Sequence, residues 1–87
     1  IDRHNVTLRG TGPATLLRLA DKANAPVIIM GLAEGIPSRT TRYVKVRDLM
    51  IDGNRVNQIS ECMGGPCSME FPLRNNGISI RRCEDCA

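Results

Sequence analysis

Three short segments of the chain alternate apolar and polar residues as half-buried β-strands do. They span residues 5–9, 43–49 and 77–83. Val44 follows Val6 by 38 residues and Ile78 follows Val44 by 34, and the next apolar position of each segment aligns as well. A strand pattern that returns at such a period predicts a coiled, solenoidal chain whose successive turns stack on one another, with a third turn that begins at Gly77.

Glycine and proline separate these strands and predict corners and loops. Two further strands are predicted within the first turn, over residues 14–19 and 27–30. The second turn runs from residue 43 into the turn signal Asp52-Gly53-Asn54. From 56 to 76 the alternation disappears, which predicts a long loop inserted between the turns. The sequence shows no amphipathic helix, so we expect residues 1–87 to be one all-β segment of about two to three turns.

The composition fits thin β-layers better than a compact globule. Only 2% of the residues are aromatic, and most apolar residues are β-branched or aliphatic. No stretch approaches the roughly 20 apolar residues of a membrane helix, so no membrane partner is expected. We interpret the chain as a segment of a larger β domain. Because its end turns would expose apolar surface, we expect further turns of the same protein, or a second copy, to cover them.

Arginine carries most of the formal net charge of +3. Arginine suits bidentate contacts to carboxylates and phosphates. The basic residues are not interleaved with aromatic rings, so no nucleic-acid partner is predicted. Arg47 and Arg81 align in the predicted stack with Arg9 above them, and the three would form a ladder on one face. The alternative is that they extend into solvent or pair with Asp48 and Glu84.

The four cysteines form two close pairs, Cys62/Cys67 and Cys83/Cys86. Cys62 and Cys67 bracket a Gly-Gly-Pro turn and are the pair that we expect to form a disulfide. Cys83, aligned with Leu49, is expected to be a core thiol. Zinc bound by all four cysteines is an alternative that the spacing disfavours, and a redox-active Cys83/Cys86 pair is a further one.

Residues 5–15, Asn-Val-Thr-Leu-Arg-Gly-Thr-Gly-Pro-Ala-Thr, resemble the strand, Gly-x-Gly-Pro-x-Thr and strand opening of right-handed parallel β-helix proteins. Residues 44–55, which end in Ile-Asp-Gly-Asn-Arg, resemble a further segment of this pectate-lyase-like superfamily, and residues 75–78 are similar to the start of its next coil. The group includes polysaccharide lyases, polygalacturonases, alginate epimerases and phage tailspikes. The resemblance implies a right-handed parallel β-helix segment with a long cysteine-containing loop.

The resemblance also implies that the protein binds or processes an acidic polysaccharide laid along the stacked strands. The expected contacts are Arg9, Arg47 and Arg81 on one face, with Asp52, Asn54 and Arg55 near the loop. No catalytic motif of these enzymes occurs in the chain, so a lyase, hydrolase or epimerase activity stays open. No cofactor is expected to be required. Calcium, which this superfamily can hold through acidic side chains, is a candidate, and zinc is disfavoured.

Two other classes of function stay open. A non-catalytic structural β-helix, as in a phage tail fibre, tailspike or surface adhesin, would use the strands only as a rigid shaft. A zinc-stabilised binding module would depend on the four cysteines. For the polysaccharide and shaft hypotheses, the expected location is extracellular or on the surface of a virion or cell, where disulfides persist.

Overall fold

The computed structural model describes residues 1–33, 36–59 and 77–87, where almost all regular structure is short β-strand. The strands are β1 (Thr7–Arg9), β2 (Leu16–Arg18), β3 (Ile28–Met30), β4 (Thr41–Arg42), β5 (Lys45–Arg47), β6 (Met50–Asp52), β7 (Ile78–Ile80) and β8 (Cys83–Glu84). A 3-10 turn, Arg55–Asn57, is the only helical element within these ranges. The expected all-β class is confirmed for this part of the chain.

All pairing between these strands is parallel, and each of the first four strands pairs with the strand four places later. The pairs are β1–β5, β2–β6, β3–β7 and β4–β8. The chain therefore passes twice round the same four positions and forms a first layer (β1–β4) and a second layer (β5–β8). The molecule is flat as a result and measures 34 × 33 × 13 Å. With neighbouring strands ~4.8 Å apart, this thickness accommodates the two layers together with the Ile1 and Ala87 segments that pair on their outer sides.

The strand register confirms the predicted alignment of Val6 with Val44 and contradicts the predicted alignment of Val44 with Ile78. Leu8 lies opposite Val46, in agreement with the predicted spacing of 38 residues. Ile78, however, lies opposite Ile28 in β3 and not beneath Val44, so the third turn predicted from Gly77 is wrong. The alternation of apolar and polar residues is the same in every strand of a layer. The alternation therefore does not determine which strand of the first layer a strand of the second layer pairs with.

The residue that lies beneath Val44 is Cys86. The amide of Ala87 donates to the carbonyl of Val44 over 3.0 Å, and the amide of Val46 donates to the carbonyl of Ala87 over 2.8 Å. On the other side, the amide of Lys45 donates to the carbonyl of Val6 over 2.9 Å. Val44 is completely buried because it lies between two neighbours in one column of inward side chains.

A second column contains Ile1, Met30 and Ile80. The ammonium group of Ile1 donates to the carbonyl of Ile29 over 2.6 Å, and its carbonyl accepts from the amide of Gly31 over 2.8 Å. These bonds place Ile1 directly above Met30, which lies opposite Ile80 in β7. Met30 is 1% exposed and Ile80 is 58% exposed. Burial in this fold therefore depends on whether a side chain lies in the middle or at the end of its column.

Residues with left-handed backbone turn the chain at one corner of each layer. Asn5, Tyr43 and Asp85 have φ angles of 58°, 60° and 52°. The amides of Asn5 and Tyr43 donate to the carbonyls of Arg42 and Glu84, each over 3.1 Å, so the three corner residues lie one beneath another. Asparagine and aspartate adopt this conformation readily, whereas tyrosine does so only where its surroundings impose it.

Cys83 and Cys86 are joined by a disulfide across the corner that follows β8, with their Cα atoms 5.9 Å apart. The free core thiol expected at Cys83 is therefore wrong. Its alignment with Leu49 is wrong as well, since Cys83 lies opposite Thr41. The disulfide expected between Cys62 and Cys67 lies outside the described residues, as does most of the segment 56–76 that connects β6 to β7.

Candidate functional site

The outward face of β1 and β5 carries the most positive charge among the four strand pairs. Thr7 and Arg9 on β1 lie opposite Lys45 and Arg47 on β5, and all four residues are exposed. Leu8 and Val46, the middle residues of the two strands, point inward because successive side chains of a strand point to opposite faces. Direct pairing of Arg9 with Arg47 brings two cations into neighbouring positions, which is unfavourable unless an anion lies beside them.

Asp48 supplies that anion. It follows β5 directly, and its left-handed backbone, with φ of 56°, turns the chain. Its Oδ2 atom lies 3.2 Å from Nε of Arg47 and 3.4 Å from Nε of Arg9. The three side chains are between 45% and 66% exposed, and ion pairs this exposed contribute at most about 1 kcal/mol to stability. The cluster therefore contributes little to folding and remains accessible to a ligand.

An open depression of about 640 Å³ adjoins the cluster. Its walls are formed by Arg9, Gly10, Thr11, Gly12 and Asp48. The amide of Gly10 donates to the carbonyl of Arg47 over 3.0 Å, and that of Gly12 donates to the carbonyl of Asp48 over 2.8 Å. A Cβ atom on Gly10 would lie 2.4 Å from the carbonyl oxygen of Asp48, so glycine is needed for the loop to approach this closely.

Two more ion pairs join the layers. Nε of Arg18 lies 2.8 Å from Oδ2 of Asp52, and Nη2 of Arg42 lies 3.2 Å from Oε2 of Glu84. The partners meet because they lie opposite each other in the β2–β6 and β4–β8 registers. In both pairs the arginine belongs to the first layer and the acid to the second. The Arg18 contact was not foreseen from the sequence, since it becomes visible only when the partner strands are known.

Asp52, the last residue of β6, and Asn54, two of the predicted sugar contacts, are joined by a hydrogen bond at the corner where β6 ends. The amide of Asn54 donates to Oδ1 of Asp52 over 2.8 Å, and this bond, followed by the one from Arg18, lowers the pKa of Asp52. The side-chain amide of Asn54 donates to the carbonyl of Leu19 over 3.1 Å. Its Oδ1 atom accepts from Asn57 over 2.7 Å. Both side chains are therefore already engaged within the protein.

The remaining predicted contacts, Arg55 and Arg81, lie away from the Arg9–Arg47 pair. Arg55 begins the 3-10 turn and is exposed. Arg81 follows β7, is half-buried, and its carbonyl oxygen lies against Gly31. Because β7 pairs with β3, Arg81 does not align with Arg47. The predicted ladder of three arginines is thus corrected to a pair.

Metal ligands do not cluster in the part of the chain that the structure describes: it contains no group of three or more His, Cys, Asp or Glu that could hold an ion. Cys83 and Cys86 are bonded to each other, and a disulfide sulfur lacks the thiolate charge that binds zinc. The carboxylate oxygens of Asp52 accept from Arg18 and Asn54. The described contacts of these residues therefore give no support to a zinc or calcium site.

Comparisons with known proteins do not place the chain in a family, since no family model, curated protein or solved structure matches it. Among the described residues, no helix has the length and apolar character needed to cross a membrane. Any function must therefore be inferred from the contacts of the residues themselves.

Proposed function

We propose that this chain is part of a right-handed parallel β-helix protein that binds or processes an acidic polysaccharide, with the outward face of β1 and β5 as the contact surface. The observation that carries the proposal is the cluster of Arg9, Asp48 and Arg47. Two exposed guanidinium groups from adjacent layers share one carboxylate oxygen beside an open depression. The parallel pairing of each strand with the strand four places later supports the β-helix.

A uronate carboxylate of the polymer can take the place of the Asp48 side chain. A guanidinium group carries five N–H donors and binds a carboxylate best through two of them at once. Asp48 contacts both arginines at Nε, which leaves their other donors for a ligand. Because neighbouring strands lie ~4.8 Å apart, Arg9 and Arg47 can hold one carboxylate together.

Lys45 and Thr7 extend this surface along the strands. The four outward residues of β1 and β5 carry a formal charge of +3, which Asp48 reduces to +2. Such a surface attracts a polyanion, and its hydroxyl and N–H groups can donate to sugar oxygens. None of the four side chains is aromatic, and so the surface lacks the rings on which nucleic-acid bases stack.

Calorimetric titration with a galacturonate oligomer, compared with a neutral glucan oligomer of equal length, tests the proposal. We expect only the acidic oligomer to bind, and its affinity to fall with added salt because exposed charges are screened. Arg9→Gln and Arg47→Gln should each weaken binding about tenfold, or ~1.4 kcal/mol. Arg3→Gln is the matched control, because it removes an exposed arginine outside the cluster and should leave the affinity nearly unchanged. Equal losses in all three variants, or equal binding of the neutral oligomer, would contradict the proposal.

A structural shaft is the second candidate, favoured by the columns of inward side chains. Met30 and Val44 are buried in one apolar cluster inside the stacked layers, and a rigid shaft needs such a core but no ligand. Incubation of the full-length protein with polygalacturonate separates the alternatives. Release of shorter products indicates processing, and binding without products indicates a binding protein. Absence of both from a folded protein indicates a shaft.

A further inference from the structure

Asn5 begins the sequence Asn5-Val6-Thr7, in which a threonine follows an asparagine by two residues. An asparagine in this pattern, with any residue except proline in the middle, is an acceptor for N-linked glycosylation when it lies on a surface loop of a secreted protein. The pattern occurs once in the sequence, because none of the five other asparagines has a serine or threonine two positions later. The surroundings of Asn5 in the fold therefore decide whether the pattern is usable.

The structure places Asn5 at an exposed turn just before β1, and Thr7, the first residue of β1, is exposed as well. The backbone amide of Asn5 donates to a carbonyl of the next layer, but its side chain makes no hydrogen bond to any residue that the structure describes. The side chains of Asn24, Asn54 and Asn57, by contrast, are all hydrogen-bonded within the fold. The Asn5 side chain can therefore carry a glycan without the loss of an internal contact.

The accessibility of Asn5 is a property of the corner and does not depend on its place in the first layer. Tyr43 takes the same corner position one layer below, with Asn5 stacked on one side of it and Asp85 on the other. Tyr43 is nonetheless 50% exposed. A further layer stacked on Asn5 would therefore leave this side chain accessible, because stacking covers the backbone of the corner and not its side chains.

We propose that Asn5 is a site of N-linked glycosylation. In the reaction, Nδ2 of Asn5 forms a bond to the anomeric carbon of an oligosaccharide that is carried on a lipid pyrophosphate. The bond between that carbon and the phosphate oxygen breaks, its electron pair leaves with the lipid pyrophosphate, and the amide nitrogen loses one proton. The product is an oligosaccharide that projects from the corner before β1.

The Cys83–Cys86 disulfide is an independent observation that agrees with this site. Disulfides form and persist in secreted proteins and in the lumen of the endoplasmic reticulum, and they are rare in the cytosol. N-linked glycans are likewise a modification of secreted proteins. Asp85, the corner residue two layers below Asn5, lies between the two cysteines, so both modifications belong to one corner of the stack.

Mass spectrometry of the full chain secreted from a eukaryotic host, before and after digestion with a peptide N-glycosidase, tests the proposal. We expect the wild type to carry a mass excess made of whole hexose and N-acetylhexosamine units, and digestion of the native chain to remove it because the corner is exposed. In water enriched in heavy oxygen, the enzyme should convert Asn5 to an aspartate that carries the heavy isotope. Thr7→Ala removes the acceptor pattern and should abolish the excess. Thr7→Ser keeps the pattern and is the matched control, which should retain the excess.

Thermal unfolding establishes that each variant is folded, and Asn5→Gln replaces Thr7→Ala if that variant is not. The glycosylated and the enzymatically deglycosylated chains should unfold at nearly the same temperature, because the side chain of Asn5 makes no hydrogen bond within the described fold. A wild-type chain recovered without the mass excess, from the medium or from the cells, would overturn the proposal. An excess that persists in Thr7→Ala, or that the enzyme removes only after denaturation, would overturn it too.

Discussion

Arg9 and Arg47 lie opposite each other in the parallel register of β1 and β5, and Nε of each lies within 3.4 Å of the same oxygen atom of Asp48. The aspartate makes the close approach of two cations tolerable. It also means that an anionic ligand must compete with an internal carboxylate. The affinity of this surface therefore depends on Asp48 as much as on the arginines.

Asp48→Asn should strengthen the binding of a galacturonate oligomer, because it removes the competing carboxylate. We expect a Kd lower by about three- to tenfold at low ionic strength, with the gain diminishing as salt is added. The free energy of unfolding should fall by no more than about 1 kcal/mol, since the ion pairs are exposed. Calorimetry and urea denaturation measure the two effects. Asp2→Asn makes the same charge change at an exposed residue outside the cluster and should leave the Kd close to that of the wild type. Weaker binding by Asp48→Asn would refute the competition.

Asp52 should stabilise the fold in a pH-dependent way. The N–H group of Asn54, and then Arg18, hold the pKa of Asp52 below its ordinary value of 3.8. A carboxyl group whose pKa is lower in the folded chain than in the unfolded chain stabilises the fold above the unfolded pKa, and this stabilisation is lost as the pH falls through the folded pKa. Asp52→Asn should therefore lower the Tm at neutral pH and approach the wild type below about pH 4. Thermal unfolding across this range measures the difference, and a difference that is constant with pH would contradict the assignment.

Gly31→Ala should be strongly destabilising. Gly31 has φ of 109°, and a Cβ atom there would lie 2.0 Å from the carbonyl oxygen of Arg81. An alanine must push β3 away from β7 and adopt a strained backbone, for which we expect a loss of about 2–4 kcal/mol in the free energy of unfolding. Gly53→Ala is the matched control, because its Cβ would meet nothing within 4 Å. Urea denaturation of both variants decides the point, and equal losses would show that the layers do not approach closely at Gly31.

Met30→Ala and Ile80→Ala should differ widely in cost, although the two residues belong to one column. Met30 is 1% exposed, so its truncation leaves a cavity and should cost about 2–5 kcal/mol. Ile80 is 58% exposed, and its truncation should cost less than about 1 kcal/mol in the monomer. Urea denaturation at a chain concentration where the wild type is monomeric measures both. Comparable losses would contradict the arrangement in two layers.

β1, β2, β3, β5 and β7 are predictable from the sequence, whereas β4, β6 and β8 and most of the strand partners are not. Alternation around Val6, Val44 and Ile78 is a local property, and each of these positions lies in or next to a strand. The partner of a strand depends on the number of residues that the intervening corners and loops contain. That number is 38 for Leu8 and Val46 but 50 for Ile28 and Ile78, so the predicted spacing of 34 residues from Val44 to Ile78 misplaces β7.

The contacts of the candidate site, too, are only partly predictable from the sequence. The pairing of Arg9 with Arg47 follows from the one spacing that is read correctly. The pairing of these arginines with Asp48 is the alternative that the sequence leaves open, whereas the left-handed turn that holds Asp48 between them is seen only in the structure. The ion pair of Arg18 with Asp52 needs the β2–β6 register, and the Cys83–Cys86 disulfide needs the corner after β8.

A heteronuclear NMR titration of the isotope-labelled chain with a galacturonate oligomer tests most directly whether the face formed by β1 and β5 contacts an acidic polysaccharide. We expect the backbone amide signals of residues 7–12 and 45–48 and the Nε–H signals of Arg9 and Arg47 to shift. In the Arg9→Gln/Arg47→Gln double variant these shifts should vanish while the rest of the spectrum is retained. Shifts confined to other parts of the chain, or shifts that persist in the double variant, would contradict the claim.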